Sequence, residues 1–137
     1  MTCPFCNTDK EKSRMIKNGK SVFVILSNPR LVAGHLLVIP KRHVEKLSEL
    51  AGEERKELFD TAIEFKNKIA KAFSGCDMRQ HYRPFIKESQ TKVNHVHFHL
   101  HPRNPEDQLY KKSQLFEKDL FKGLTKSEIE KYTRLYR

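Results

Sequence analysis

The 137-residue chain contains no long hydrophobic run, and it has only three cysteines. No apolar stretch approaches the ~20 residues that a membrane-spanning helix needs. The first ten residues, MTCPFCNTDK, lack the apolar segment of a signal peptide. A small and odd number of cysteines does not suggest a fold held together by disulfides. We therefore expect a soluble, cytoplasmic protein.

The chain also lacks internal repeats, low-complexity segments and a basic tail. Its length is most simply that of one domain covering residues 1–137. The net charge of +10 raises nucleic acid as a partner, but the basic residues are spread along the chain. Their excess per residue is largest between residues 76 and 105. An anionic ligand near that segment is expected, whereas a long nucleic-acid track is not favoured; a solvated basic surface accounts equally well for most of the charge.

Several segments have the composition of β-strands. Residues 13–28 predict a hairpin, because Asn18-Gly19 is a strong two-residue turn signal before a run of β-branched and aromatic residues. The sequence HLLVIP, His35–Pro40, predicts a short buried strand that ends at a proline, which cannot donate to a strand ladder. Residues 77–85 are a further candidate strand.

Helices are predicted in the middle and at the end of the chain. From Gly52 to Phe73, apolar residues recur at intervals of three and four and therefore share one helix face. Residues 105–124 and 125–137 predict two closing helices, the second with Thr125 and Glu128 at capping-box spacing. This order of elements indicates an α+β fold with a largely antiparallel sheet.

Four of the seven histidines alternate with apolar residues in the segment NHVHFHLHPR. Strict alternation predicts a strand with one apolar face, formed by the even-numbered residues, and one face of imidazoles. The histidines are His95, His97, His99 and His101. Neutral imidazole is a nucleophile, a base, a hydrogen-bond donor and a metal ligand, so nucleophilic chemistry and metal binding both remain open at this point.

Cys3 and Cys6 form a C-x-x-C pair near the N-terminus. In a reducing compartment such a pair binds metal or performs redox chemistry more often than it stabilises a fold. A thioredoxin-like role is disfavoured because no βαβ pattern follows the pair. Cys76 stands alone and is expected to pack as a small apolar residue.

Three segments together resemble the histidine triad (HIT) family of nucleotide hydrolases and transferases. HVHFHLHPR resembles the family signature, AGHLLVIPKRHV its upstream glycine-histidine strand, and CPFC the cysteine pair of its zinc-containing bacterial branch. The resemblance covers roughly residues 3–103 and leaves 104–137 as a C-terminal helical extension. Pro102-Arg103 places the triad at His95, His97 and His99. His101 then departs from the pattern, since an apolar residue is usual there, and we interpret it as tolerated at the strand end.

The resemblance implies an antiparallel sheet of about five strands with a long helix, often assembled as a homodimer. It also implies attack on the α-phosphate of nucleoside phosphoramidates, adenylates or dinucleoside polyphosphates through a nucleotidyl-histidine intermediate. His97 would be the nucleophile, and His99 and His35 would stabilise and orient the phosphate.

The resemblance further assigns substrate-binding and metal-binding residues. Asn28 would contact the ribose. Gln90, Thr91 or Lys92 would fill the position of a polar residue that assists the leaving group or holds the phosphate, although the spacing here is one residue longer than usual. Zn²⁺ would be structural, because two cysteines and two histidines form a closed tetrahedral set. Its ligands would be Cys3, Cys6, His43 and His95.

Two other functions remain alternatives at this point. An enzyme that processes nucleic-acid ends, removing an adenylate or a cap, is favoured by the net charge but disfavoured by its even spread. A nucleotide-binding or interaction module with vestigial chemistry is disfavoured by the intact triad.

Overall fold

An antiparallel five-stranded sheet forms the framework of the fold. The structure, a computed structural model, describes residues 3–7 and 12–137. The strands lie in the spatial order β1-β2-β3-β5-β4, and every neighbouring pair is antiparallel. This confirms the predicted α+β fold with about five strands. The strands are β1 (Met15–Asn18), β2 (Val22–Leu26), β3 (Leu36–Pro40), β4 (Gly75–Arg79) and β5 (Phe98–Arg103).

The long helix α1 (Gly52–Ala72) covers one face of this sheet. The predicted apolar face is buried against residues of β2, β3 and β5, and Phe73 packs partly buried at its end. Complete burial of one such side chain contributes roughly 1.5–3 kcal/mol, so this face fixes the helix on the sheet. The buried residues of the helix are Leu58, Thr61, Ala62, Phe65 and Ile69.

The first hairpin is present, but Asn18-Gly19 is not the centre of its turn. Asn18 pairs with Phe23, so four residues connect the paired positions. A two-residue type I′ turn needs positive φ at both central residues, and among the described residues only Gly34 has a positive φ. The connection is stabilised instead by α1, because the Glu57 carboxylate accepts the backbone N–H of Lys20 at 3.0 Å and of Ser21 at 2.6 Å.

The strands around the histidine run begin elsewhere than predicted. β4 starts at Gly75 and ends at Arg79, ahead of most of the predicted segment, and Cys76 within it packs partly buried against the core as expected. β5 begins at Phe98, so His95 and His97 precede the strand. The Val96 N–H donates to the carbonyl of Val44, which follows the end of β3 at Pro40, at 2.8 Å.

The chain ends in the two predicted helices, α2 (Gln108–Glu117) and α3 (Lys126–Tyr136). Asp107 caps α2 and the predicted Thr125–Glu128 capping box begins α3. No residue of α3 is buried, and Leu135 and Tyr136 are 66% and 80% exposed. None of the described helices combines the length and the apolar character needed to cross a membrane.

Candidate functional site

The sheet brings His35 beside the histidine run. His35 directly precedes β3, whose Leu37 pairs with His99 of β5. Gly34 makes this approach possible: its φ is +81°, and a Cβ there would lie 3.1 Å from the Pro102 side chain. A residue with a side chain would therefore strain the backbone and collide with β5. Glycine at this position therefore allows the chain to pass close to β5 and to place His35 in the site.

A chain of hydrogen bonds connects His35, His99 and His97, and its two ends determine where the protons lie. At one end the Leu31 N–H donates to His35 Nδ1 at 3.1 Å, so the proton of neutral His35 is on Nε2. His35 Nε2 then donates to His99 Nδ1 at 2.9 Å. The His99 proton is accordingly on Nε2, which lies 3.1 Å from His97 Nε2.

The other end of the chain is a backbone carbonyl. His97 Nδ1 lies 2.6 Å from the His95 oxygen, which can only accept, so the His97 proton is on Nδ1. His97 Nε2 therefore carries a lone pair and accepts from His99. A peptide N–H at one end and a peptide C=O at the other thus fix one consistent tautomer for each ring, and they leave Nε2 of His97 free of a proton.

The environment keeps these imidazoles neutral. Burial, and then the neighbouring His97, lower the pKa of His99 to about 2. Burial and the neighbouring His101 lower the pKa of His35 to about 4. Burial also lowers the pKa of His97, although its hydrogen bond to the His95 carbonyl opposes the shift. The neutral forms are those that the hydrogen-bond chain requires.

His101 is not at the end of its strand. It lies within β5 and pairs with Asp77 of β4. The residue is 2% exposed, and its ring centroid is 4.3 Å from that of His35. Burial and Arg79 lower its pKa to about 4. Neither ring nitrogen has a hydrogen-bond partner among the described residues. The interpretation of His101 as a tolerated residue at the strand end is therefore wrong about its position, because the sheet continues to Arg103.

A cleft of about 750 Å³ opens in front of the imidazoles, and this volume suits a small-molecule ligand. The three residues predicted to bind substrate, Asn28, Gln90 and Thr91, all line it and are exposed. Ser89 and Lys92 bond to each other through their backbones, so Gln90 and Thr91 are at the tip of a tight turn. Basic side chains in the lining give the cleft a preference for anions. They are Arg14, Arg30 and Arg79.

The sequence interpretation missed His81. Its ring centroid is 5.5 Å from that of His99, and it lines both the large cleft and a second cleft of about 340 Å³. Thr91, His97 and His99 also line both clefts, so the two cavities meet at the histidines. The available signal was a histidine between Arg79 and Arg83, in the segment with the largest excess of basic residues.

The four predicted zinc ligands lie together. Cys3 Sγ and Cys6 Sγ are 3.3 and 3.6 Å from His95 Nδ1, Cys6 Sγ is 3.4 Å from His43 Nδ1, and the two Nδ1 atoms are 3.1 Å apart. A tetrahedral zinc ion with ordinary bond lengths separates its ligands by about 3.3 Å between nitrogens and about 3.5 Å between sulfur and nitrogen. The spacing therefore fits such an ion.

The protonation state of His95 also suits a metal ligand. His95 Nε2 donates to the Pro40 carbonyl at 2.7 Å, so its Nδ1 carries the lone pair that faces the two cysteines. Burial raises the pKa of the Cys6 thiol, and the hydrogen bond and charge of Cys3 raise it further. Because the backbone oxygen of His95 accepts from His97, the cysteine–histidine cluster is in direct contact with His97.

A row of imidazoles with fixed tautomers, some buried and some half-buried, thus faces a cleft with basic side chains on an α+β sheet. The family model for the HIT domain matches residues 7–106. The chain therefore belongs to the HIT family.

Proteins similar to this chain come from several organisms. A bis(5'-nucleosyl)-tetraphosphatase (asymmetrical) from Schizosaccharomyces pombe is 35% identical over 101 residues, which are 74% of this chain and 49% of that protein. An adenosine 5'-monophosphoramidase from Saccharomyces cerevisiae is 30% identical over 106 residues, 76% of this chain and 64% of that protein. A solved HIT family structure from Bacillus subtilis has a TM-score of 0.64 at 25% identity and covers 90% of this chain and 100% of its own. The chain thus spans about half to two thirds of the length of these two curated relatives.

Proposed function

We propose that this protein is a nucleotide hydrolase or nucleotidyl transferase in which His97 attacks the α-phosphorus of its substrate. The observation that carries the proposal is the lone pair on His97 Nε2, which follows from the hydrogen-bond chain between the Leu31 N–H and the His95 carbonyl. Neutral imidazole is both a competent nucleophile and a good leaving group, so one difficult displacement becomes two easier ones.

In the first step the His97 Nε2 lone pair forms an N–P bond, and the bond from phosphorus to the leaving group breaks. The leaving group departs with the bonding electrons and takes up a proton. In the second step water attacks the phosphorus, the N–P bond breaks, and the water proton is released with the nucleoside monophosphate. His97 Nδ1–H remains bonded to the His95 carbonyl throughout and stabilises the charge that its ring acquires.

His99 and His35 act on the phosphate rather than on the leaving group. The His99 Nε2–H, which faces His97 without substrate, is close enough to turn to a phosphoryl oxygen once the lone pair of His97 is engaged. His35 holds His99 in the tautomer that keeps this donor available. A fixed donor at the developing negative charge contributes to catalysis because it needs no reorganisation during the reaction.

Two clefts that meet at His97 give room for both halves of a substrate. The nucleoside would occupy the larger cleft with Asn28 at the ribose, and Gln90 and Thr91 would contact the phosphate at the turn tip. The leaving group would extend into the smaller cleft, beside Tyr82 and Lys92. Nucleoside phosphoramidates, adenylates and dinucleoside polyphosphates all fit this division, and the similar proteins include a phosphoramidase and a tetraphosphatase.

Structural zinc at Cys3, Cys6, His43 and His95 belongs to the same proposal, as in the zinc-containing bacterial branch. When bound, the ion would join the N-terminal segment to the residues beside the nucleophile; it takes no part in the displacement. Its contribution would be to fix His95, whose Nε2–H is bonded to Pro40 and whose carbonyl is bonded to His97.

We further propose that residues 1–137 form one cytoplasmic domain that assembles as a homodimer. Support for a dimer comes from apolar side chains exposed on α1, where Phe59 is 44% and Ile63 is 55% exposed. A light-scattering mass of two chains is expected, and a mass of one chain would contradict it.

The decisive experiment follows AMP release from adenosine phosphoramidate and from diadenosine tetraphosphate. Wild type is expected to release AMP, and His97→Ala to lose at least about 10³-fold in rate because the nucleophile is absent. Quenched wild-type protein should carry a nucleotidyl adduct by mass spectrometry, and the variant should not. Release that survives in a folded His97→Ala protein would refute the mechanism.

Processing of adenylated nucleic-acid ends is the second candidate, and the arginines of the large cleft favour it. AMP release from adenylated DNA with a steep salt dependence would select it, because each neutralised phosphate steepens that dependence. A protein that binds AMP but releases none from any of the three substrates would be a binding module.

A further inference from the structure

The fourth histidine of the run takes no part in the reaction proposed above. His101 is 2% exposed, and both of its ring nitrogens lack a hydrogen-bond partner among the described residues. Burying a polar group without a partner destabilises a fold. An apolar side chain would pack in this place without that cost, so the imidazole calls for a partner that the described protein atoms do not supply.

The nearest rings to His101 are His35 and His99. Their centroids are 4.3 and 5.6 Å from that of His101, and each of the three residues offers a nitrogen within 4.8 Å of the others. We propose that His35, His99 and His101 form a second metal site, which takes a transition-metal ion of the Zn²⁺, Ni²⁺ or Cu²⁺ class. Imidazole is the ligand that these ions share.

The cluster has the form of an open site. Three imidazoles supply three ligands, and all three residues line the large cleft, through which the ion enters and from which water takes the fourth position. The charges nearby are mixed: Arg79 opposes a cation, while Asp77 favours it. Arg103 is already paired, at 2.7 Å from Asp77 and 3.0 Å from Asp107.

Metal binding requires one proton to move within the site. His99 Nδ1 already carries a lone pair, but His35 Nε2 carries the hydrogen that it donates to His99. His35 becomes a ligand through Nε2 when that proton transfers to its Nδ1, and the Leu31 N–H then loses its acceptor. The net proton count of His35 is unchanged, and the ion replaces the hydrogen bond between His35 and His99.

An ion in this position would hold the two rings that the reaction needs. His99 could no longer turn toward a phosphoryl oxygen, so the metal would inhibit nucleotide hydrolysis. The inhibition rests on the proposed function, whereas the binding itself does not. This site is also chemically distinct from the cluster of Cys3 and Cys6, because it offers nitrogen ligands alone.

Metal titration of the full chain separates the two sites. Wild type, His101→Leu and Cys6→Ser are titrated with Ni²⁺ by calorimetry and with Co²⁺ by absorption, where thiolate ligation adds a charge-transfer band that imidazole ligation lacks. Cys6→Ser is expected to reduce the thiolate band, since Cys3 alone remains, and to keep the second site. His101→Leu is expected to keep the thiolate band, and to weaken Ni²⁺ binding at the second site by about tenfold or more. The Ni²⁺ concentration that halves AMP release should rise by the same factor.

Equal Ni²⁺ affinity of the second site in wild type and His101→Leu would overturn the proposal, and so would its absence from wild type. A thermal melt establishes that His101→Leu is folded, and His101→Val replaces it if it is not. Ni²⁺ binding that depends on His101 in a protein that releases no AMP would preserve the metal site and remove the proposed function. AMP release by a protein that lacks such a site would preserve the proposed function and remove the metal site.

Discussion

His95 and His101 are at opposite ends of one histidine run and are equally buried, each with 2% of its surface exposed. Their hydrogen bonding is opposite. His95 donates to the Pro40 carbonyl through Nε2 and presents Nδ1 to Cys3 and Cys6, whereas both nitrogens of His101 are without partners among the described residues. Burial is therefore a poor guide to what a histidine does. The hydrogen-bond partners of the two ring nitrogens are the better guide. They distinguish a histidine that is held in one orientation from a histidine that is available to a ligand.

The largest expected change in the free energy of unfolding comes from removing metal from the cluster at the His95 end of the run. Zinc at a free concentration 1,000 times its dissociation constant should raise the free energy of unfolding by about 4 kcal/mol, because it binds only the folded protein. Urea denaturation with zinc and with a chelator measures the difference. Cys6→Ser should abolish it, and Cys76→Ser, outside the cluster, should retain it. An undiminished zinc effect in Cys6→Ser would rule out this cluster as the site.

Replacing His95 or His101 by leucine, in the presence of a chelator, tests the comparison directly. His95→Leu should lower the free energy of unfolding by about 2 kcal/mol, because the buried Pro40 carbonyl loses its donor. His101→Leu should raise it by about 1 kcal/mol, because two unpaired nitrogens are replaced by apolar atoms. The two variants are matched in chemistry, and changes of the same sign would show that the hydrogen bonds do not distinguish the two positions.

A smaller effect is expected just beyond His101, where Asp107 caps α2 and pairs with Arg103. Burial raises the pKa of Asp107, but hydrogen bonds from Arg103, Asn104 and Tyr110 outweigh it and lower the pKa to about 2. Asp107→Ala should therefore cost about 1–2 kcal/mol at neutral pH.

The acid dependence of that contribution has a definite sign. The folded-state pKa is below the unfolded value of about 3.9, so the stabilisation is complete above about pH 4 and is lost as the pH falls toward 2. Urea titrations of wild type and Asp107→Ala should converge over that interval. Glu106→Ala is the control, since its carboxylate is 83% exposed and its removal should change stability by less than about 0.5 kcal/mol. A constant difference between wild type and Asp107→Ala at all pH values would contradict the assignment.

Periodicity was sufficient to predict the α+β fold, the apolar face of α1 and the burial of Val96, Phe98 and Leu100. These features depend on local spacing, which the sequence displays directly. The turn after β1 could not be predicted in the same way, because it is fixed by Glu57, which is far away in the sequence.

The structure brings together the histidines that the sequence analysis proposed for the site, but the sequence did not predict the hydrogen bonds that connect them. Alternation and the family resemblance identified His35, His97 and His99, yet the tautomer of each ring depends on the Leu31 N–H and the His95 carbonyl. Backbone groups carry no residue identity, so no sequence pattern marks them. The burial of His101 was likewise missed, because the length of β5 depends on its pairing with β4.

The acceptor for His97, the proposed nucleophile, is a main-chain oxygen, and this separates two kinds of change during evolution. Every amino acid at position 95 supplies a carbonyl, so no substitution there can delete the acceptor for His97 Nδ1–H. Substitutions alter only how firmly that oxygen is held. A lineage can therefore gain or discard the cysteine–histidine cluster by changing side chains while the proton on His97 Nδ1 keeps its place. The heritable fate of the proposed metal site and that of the proposed reaction are, to this extent, independent.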